Sequence, residues 1–221
     1  MAHYDFGPLG PFRGKLGHVV GSSWKGKPNL RSLPKKSTKP TSERKKKSQT
    51  ALTFVSKWLA PINQLVMIGF DSYNPSITGR MSAHSYNATH ALSSGPEGFS
   101  IDYNKAHFSI GDLPHAPDAK AELIDEETIS ITWNPVCLNG AEISDVLMYA
   151  IYFSANTTAE TGIGGYCRRE GSMLLKIPSQ CRGLRMEVMI AFKSVTNTNV
   201  STSQYLGSLL FNQPSSIQDA C

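Results

Sequence analysis

From residue 119 to residue 211 the chain repeats one pattern, short runs of alternating apolar and polar side chains separated by turn-forming residues. An alternation of period two lines one face of a β-strand and cannot make a helical stripe. Residues 119–124 open the set, and Ile129, Ile131 and Trp133 share a face in residues 128–133. Residues 146–154 (VLMYAIYFS) are apolar on both faces, which suits a central strand. Met173, Leu175 and Ile177 alternate next, then Leu184, Met186, Val188, Ile190 and Phe192, and residues 203–211 close the set. Six or seven strands of this kind predict a β-sandwich over 118–212, with a tail at 213–221.

Two short stretches make the expectation narrower. Trp133, in ITWNP, stands where the second strand of a sandwich module carries its core tryptophan. The segment PSQCRGLRMEVMIAF resembles a turn into a sixth strand, with Met186 at the place of the usual corner tyrosine. On these residues the C-terminal part resembles an immunoglobulin-like or fibronectin type III-like module. That resemblance implies a fold and no particular function.

Residues 1–114 read differently, as an α+β region joined to the sandwich across the proline-flanked link LPHAPD. Residues 14–24 and 28–33 predict a β-hairpin turning at Lys25-Gly26-Lys27. A helix is expected to start at PTSE, where Thr41 or Ser42 can cap free amides and Glu43 suits the positive end of the helix dipole. Ala51, Phe54, Val55, Trp58, Leu59 and Ile62 then form one buried stripe, which Pro61 kinks or ends. A second helix is expected over 76–92, with Met81, Ser85, Ala88 and Leu92 inward. Residues 99–110 (FSIDYNKAHFSI) predict a hairpin turning at Asn104-Lys105.

Charge divides the chain. Residues 1–50 carry 12 Lys+Arg and 2 Asp+Glu, whereas the remaining 171 residues carry 10 and 15. A basic end on an acidic body can pair head to tail with its own copies or grip a polyanion. The candidate contact residues are Lys25, Lys27, Arg31, Lys35, Lys36, Lys39, Arg44, Lys45, Lys46 and Lys47. No aromatic residue interleaves with the dense cluster at 35–47, so base stacking is not expected there.

The search for reaction chemistry finds little. Gly162 to Cys167 (GIGGYC) is glycine-rich but lacks the Lys-Ser/Thr of a phosphate loop, and is expected to be a flexible connection between strands. His84, His90, Asp102 and His107 could be drawn as a metal site, but six histidines in a chain permit such drawings, and no metal or cofactor is expected. No G-x-S-x-G occurs. The run Asp125-Glu126-Glu127 reads as a solvated hairpin turn. Cys137, Cys167, Cys181 and Cys221 form no C-x-x-C; reduced thiols are the expectation, with a Cys167–Cys181 bridge left open. No apolar run approaches the ~18 residues of a membrane span, and no secretory signal is read, so a cytoplasmic product is expected.

Residues 7–26 (GPLGPFRGKLGHVVGSSWKG) and 31–43 (RSLPKKSTKPTSE) resemble the opening of an uncharacterised family of Bacteroidota proteins. IGFDSYN, MSAHSYNATHAL and FSIDYNKAHFSIGDLP extend the resemblance to about residue 115. The run SERKKKSQT departs from the family pattern, so these lysines belong to this chain. The resemblance brings no activity and no catalytic residue. A non-enzymatic, self-assembling structural protein is therefore expected, a homo-oligomer with a basic N-terminal arm on neighbouring subunits. The construction is common in phage virion and filament subunits, which would place the product in a phage particle. Nucleic-acid binding through residues 31–47 is the alternative, and adhesion or carbohydrate binding a weaker one.

Overall fold

Glycine begins the fold. In the computed structural model, which describes residues 2–3, 10, 12–24, 26–35, 40–96, 98–125, 127–137, 140–153, 157–181 and 183–210, the glycine-rich start is a four-stranded antiparallel sheet. Its strands are β1 (Ala2–His3), β2 (Gly14–Leu16), β3 (Val19–Trp24) and β4 (Lys27–Ser32), in the order β1-β4-β3-β2. Trp24 pairs with Lys27, and Gly26 between them takes φ +77°, a left-handed conformation that glycine adopts without steric cost. The hairpin expected at that turn is therefore present. The run read as one strand over 14–24 is broken by a second turn at Gly17, with Leu16 opposite Val19. Met1–Lys45 forms one compact unit and Lys46–Cys221 another.

The first long helix, α1 (Glu43–Leu59), starts where expected, and the Ser42 Oγ accepts the Lys45 amide at 3.4 Å. Val55, Trp58 and Leu59 are buried, and the helix stops before Pro61. A short helix missed by periodicity, α2 (Asn63–Gly69), follows at 94° to α1. The third helix, α3 (Gly79–His90), is capped by Thr78, whose side chain accepts the Met81 amide. Its buried face carries Gly79, Ser82, Ala83 and Asn87, so the expected inward face is wrong by about one position; Met81 and Ser85 are exposed. The reason is tertiary, because Asn87 is held inside by the main chain of His107.

The next hairpin pairs β5 (Leu92–Gly95) with β6 (Gly98–Ile101). It turns near Pro96, not at Asn104-Lys105, and residues 102–111 continue as irregular chain. Asp102 caps that later turn by accepting the Asn104 amide and pairing with Lys105 at 3.1 Å. Both places carry turn chemistry, and only Leu92 and Ile101 have apolar partners to bury by pairing.

The sandwich is as expected. Strands β7 (Lys120–Leu123), β8 (Thr128–Thr132), β9 (Val146–Phe153), β10 (Thr158–Cys167), β11 (Ser172–Lys176), β12 (Met186–Lys193) and β13 (Gln204–Leu209) form two antiparallel sheets. Their orders are β11-β8-β7 and β10-β9-β12-β13. Between the sheets lie Ile129, Ile131, Trp133, Leu147, Ile151, Val188, Ile190 and Phe192, with Met186 fully buried beside them. Three strands facing four in this order is the fibronectin type III-like arrangement.

β10 is the strand the sequence hides. GIGGYC belongs to it and is not a connection, and its register slips between Ile163 and Cys167, where Gly164 and Gly165 both take φ +82°. A bulge on an edge strand blunts pairing with other chains. Gly162 faces Tyr149, and a Cβ there would stand 2.3 Å from the tyrosine ring.

β9 is apolar on both faces because both are covered. Leu147, Tyr149, Ile151 and Phe153 point into the sandwich, while Met148, Ala150 and Tyr152 join a second core with Val55, Trp58, Leu59 and Phe70. The proline-flanked link expected to separate an α+β region from the sandwich marks a change of secondary structure, but packing runs across it. The Leu113 amide donates to Val200 O at 3.1 Å, and Ser109 Oγ to Ser201 O at 2.7 Å.

Candidate interaction surfaces

Within the N-terminal sheet, register sets which side chains share a face. Lys15 lies opposite Val20, and Val20 opposite Arg31; Trp24 pairs with Lys27 further along the same two strands. Since directly paired residues project to the same side, Lys15, Trp24, Lys27 and Arg31 share one face, and all four are exposed. Leu16, Val19 and Leu30 share the other, where the Phe12 ring lies over Gly21. Among the described residues of this unit only Gly21 is buried, while Leu16, Trp24 and Leu33 stand in solvent.

Of the basic residues expected to make contacts, Lys27 and Arg31 lie on β4 and Lys35 follows it, all exposed. Arg44, Lys45, Lys46 and Lys47 occupy the first turns of α1 and are exposed, fanning round it at about 100° per residue. Lys25, Lys36 and Lys39 lie outside the described residues. Lys15 and Trp24 were not among the expected contacts. The clue was a period-two pattern, K-x-x-x-x-V-x-x-x-W, interrupted by the Gly17 turn.

The acidic body offers the opposite sign. Glu122, Asp125 and Glu127 are exposed around the β7–β8 turn, as expected for a solvated turn. The Asp125 carboxyl is held below its ordinary range chiefly because it accepts the Glu127 amide.

The histidines that could be drawn as a metal site are engaged separately. His84 Nε2 lies 3.0 Å from Leu52 O, and His90 stacks on Tyr86 with centroids 4.3 Å apart. His107 Nδ1 contacts both Ser203 O and Ser203 Oγ, and burial pushes its pKa down. Among the described residues no group of three or more His, Cys, Asp or Glu is arranged to hold a metal ion. Cys137, Cys167 and Cys181 are free, so no Cys167–Cys181 bridge forms.

In the second unit a cavity of about 320 Å³ is walled by Phe54, Lys57 and Trp58 of α1, by Phe99, Ser100, Ile101 and Tyr103 at the β6 end, by Tyr152 of β9 and by Thr157 just before β10. Phe54 and Phe99 are 6.2 Å apart by centroid, and Trp58 and Tyr152 also 6.2 Å. Tyr103 stands 6.0 Å from Tyr152 and 6.0 Å from Tyr205 on its other side. Tyr205 donates to the buried Glu187, whose other oxygen accepts from Arg185 at 2.8 Å. Two polar atoms in the walls have no partner, Trp58 Nε1 and the Tyr152 hydroxyl. The indole N–H sits close enough to the Tyr103 phenol to favour its ionised form, without completing a hydrogen bond.

Burial raises the pKa of Tyr103, Tyr152 and Tyr205, in the case of Tyr152 to about 12. A folded pKa above the unfolded one gives stability that is complete below about pH 10 and is lost as pH rises through the folded value. The expected outcome is steep alkaline unfolding above pH 10, with phenolate absorbance rising together with loss of circular dichroism. Smooth ionisation of every tyrosine in a still-folded chain would contradict it.

A family profile described as a family of unknown function, DUF6266, matches residues 11–207. No curated protein matches the chain. Among solved structures, the chain is similar to the fibronectin type III domain of human collagen alpha-1(XX), at 7% identity and TM-score 0.35, over 48% of this chain and 90% of that one. It is also similar to the fibronectin type III domain of human contactin 1, at 14% identity and TM-score 0.35, over 58% and 99%. The fold assignment rests on the strand order and the two buried faces given above.

Proposed function

The chain belongs to the family of unknown function DUF6266, and from that starting point we propose that it is a non-enzymatic structural subunit whose basic N-terminal sheet docks on the acidic body of another copy. The observation that carries the reading is the N-terminal sheet itself, which has four strands and, among its described residues, buries no side chain. Sheets of this size hold together by burying an apolar face. Leu16 and Val19 on one face and Trp24 on the other stand exposed, where a partner would cover them, and Lys15, Lys27 and Arg31 set the partner's sign. The anionic excess of residues 51–221 supplies that sign within the same chain. The only His–Ser contact described, His107 with Ser203, is tied into main-chain groups, which favours a structural role. Repeated subunits joined in this way build a filament or shell, and a phage-derived virion component is the specific form proposed.

A second reading draws on Trp24. An exposed indole on the face that carries Lys15, Lys27 and Arg31 has the elements of a platform for single-stranded nucleic acid.

Light scattering after size exclusion, with negative-stain microscopy, tests both readings. Polymers or closed rings are expected from the parent chain, and the triple reversal Lys15→Glu, Lys27→Glu, Arg31→Glu is expected to return them to monomers. A clean monomer at high concentration ends the assembly reading. If that monomer binds a random oligonucleotide with steep salt dependence, and the triple reversal abolishes the binding, the second reading takes its place.

A further inference from the structure

We propose that the surface of a second copy that receives the basic N-terminal sheet is the outer face of β11-β8-β7 at the β7–β8 turn, with Ile124 seated against Trp24 and with Glu122 and Asp125 facing Lys15, Lys27 and Arg31. The inference rests on the assembly reading given above and names the partner surface within it.

The sandwich covers its two sheets unequally. Met148, Ala150 and Tyr152 of β9 and Met189 and Ala191 of β12 point outward from one sheet and are buried in the core that includes Val55 and Leu59 of α1. On the other sheet the outward residues of β7, β8 and β11 alternate with inward ones, and none of them is buried. A sheet face left in water is ordinarily polar, and Thr128, Ser130, Thr132 and Ser172 follow that rule. Two residues do not. Ile124, 60% exposed, is the most exposed large apolar side chain among the described residues of the second unit, and Leu174 is 56% exposed. Register places them near each other, because the Ile124 amide donates to Thr128 O and Leu174 pairs with Ser130, the next outward residue of β8.

Charge selects what covers them. Glu122 and Asp125 flank Ile124 in the chain, both exposed, and Glu122 pairs with Ser130 on the side opposite Leu174. The cations of this face stand further off: Lys176 lies across β8 from Ile124, opposite Thr128, and Lys120 lies toward the other end of β7. The N-terminal sheet offers the same construction with the opposite sign, a 48% exposed indole at Trp24 on the face that carries Lys15, Lys27 and Arg31. An apolar anchor ringed by charge is the usual anatomy of a specific interface. Two basic sheets repel each other, as do two acidic turns, so pairing of unlike surfaces is favoured. Each chain carries one of each, and the contact therefore repeats from copy to copy. The turn is also shaped before contact: Asp125 Oδ1 accepts the Glu127 amide at 2.8 Å, and the Ile124 amide reaches Thr128 O at 3.0 Å. Little ordering remains to be done on docking.

The test maps the contact in the full parent chain. Isotopically labelled and unlabelled chains are mixed, brought to a concentration at which they assemble, and treated with a carbodiimide, which joins an amine to a carboxylate in direct contact. Peptides joining a labelled to an unlabelled partner come from two copies, and Lys15 or Lys27 linked to Glu122 or Asp125 is expected among them. Two variants measure the effect. Glu122→Gln with Asp125→Asn removes the charges and keeps an acceptor oxygen for the turn; it is expected to raise the concentration for half-assembly about tenfold and to flatten its salt dependence. Ile124→Ser is expected to raise that concentration at least about tenfold. In dilute solution both variants should match the parent in circular dichroism and melting temperature, since all three side chains are exposed. Polymers that lack these links between copies, or that form unchanged in both variants, overturn the inference and leave the assembly reading standing. A parent chain that stays monomeric at high concentration overturns both.

Discussion

Asp145→Ala is expected to destabilise the protein by about 3–5 kcal/mol, the largest single-site effect in the second unit, because it leaves a guanidinium charged and buried without its counter-ion. Arg168 and Asp145 are both fully buried, with Arg168 Nε 3.3 Å from Asp145 Oδ2. The rest of the arginine is held by Pro114 O, 2.7 Å from Nη2, and by the Phe192 ring, whose centroid is 4.3 Å from Cζ. Burial lowers the Arg168 pKa and Asp145 opposes that, so the carboxylate keeps the charge in place. The pair itself is imperfectly satisfied, since Asp145 Oδ1 and Arg168 Nη1 have no partner. Replacing both residues with apolar ones, Asp145→Leu with Arg168→Met, should therefore recover most of the loss. Urea unfolding followed through Trp133, whose indole donates to Arg168 O at 2.8 Å, reads both variants. A single-variant loss below about 1 kcal/mol would show that the charge is solvated in the folded chain.

Asn87→Ala comes next, with an expected loss of about 2–4 kcal/mol. This fully buried amide donates to Ala83 O and His107 O, both at 2.8 Å, and accepts the His107 amide at 2.9 Å. Removing it strands the main chain of His107, which ties α3 to Ser203 at the start of β13. A pH signature accompanies the loss. Burial puts the folded His107 pKa below its unfolded value, so the stability tied to its neutral form is complete above about pH 6.5 and falls as pH drops through the folded pKa. Asn87→Ala removes the main-chain anchor of the residue while Ser203 still contacts its ring; loosening of that segment is expected to let water reach the imidazole, so stability between about pH 5 and 7 should become flatter than in the parent. An unchanged slope in denaturation midpoints across that range would place the acid sensitivity elsewhere.

How much of this was legible follows from the periods involved. β7, β8 and β11 were legible because each buries one face, and period-two burial is written in the chain; β12 is buried on both faces, but its sandwich-facing set, Met186, Val188, Ile190 and Phe192, still alternates. β10 was not, since Gly162, Gly164 and Gly165 replace the side chains that would have alternated. α2 was hidden because seven residues are too few to show a stripe. The face of α3 was misjudged because its inward position went to Asn87, for a partner 20 residues further along. The basic surface was half legible: its cations were counted, but Trp24 and Lys15 joined Lys27 and Arg31 only through cross-strand register. The aromatic cavity left no local signal, because its walls come from three places far apart in the chain, Phe54 to Trp58, Phe99 to Tyr103, and Tyr152 with Thr157.

By itself, the sequence determined the sandwich, the start and stop of α1, the hairpin turn at Gly26 and the opposition of a basic end to an acidic body. Those follow from residue order through alternation, capping, backbone freedom and charge, all of which act over a few residues. Only the tertiary structure decided that the helices cover the outer face of β9, that Arg168 is buried beside Asp145, and that Trp58 and Tyr152 meet around one cavity with their polar atoms unpaired. Each of these depends on which surfaces exclude water together, and that choice is made between segments far apart in the chain.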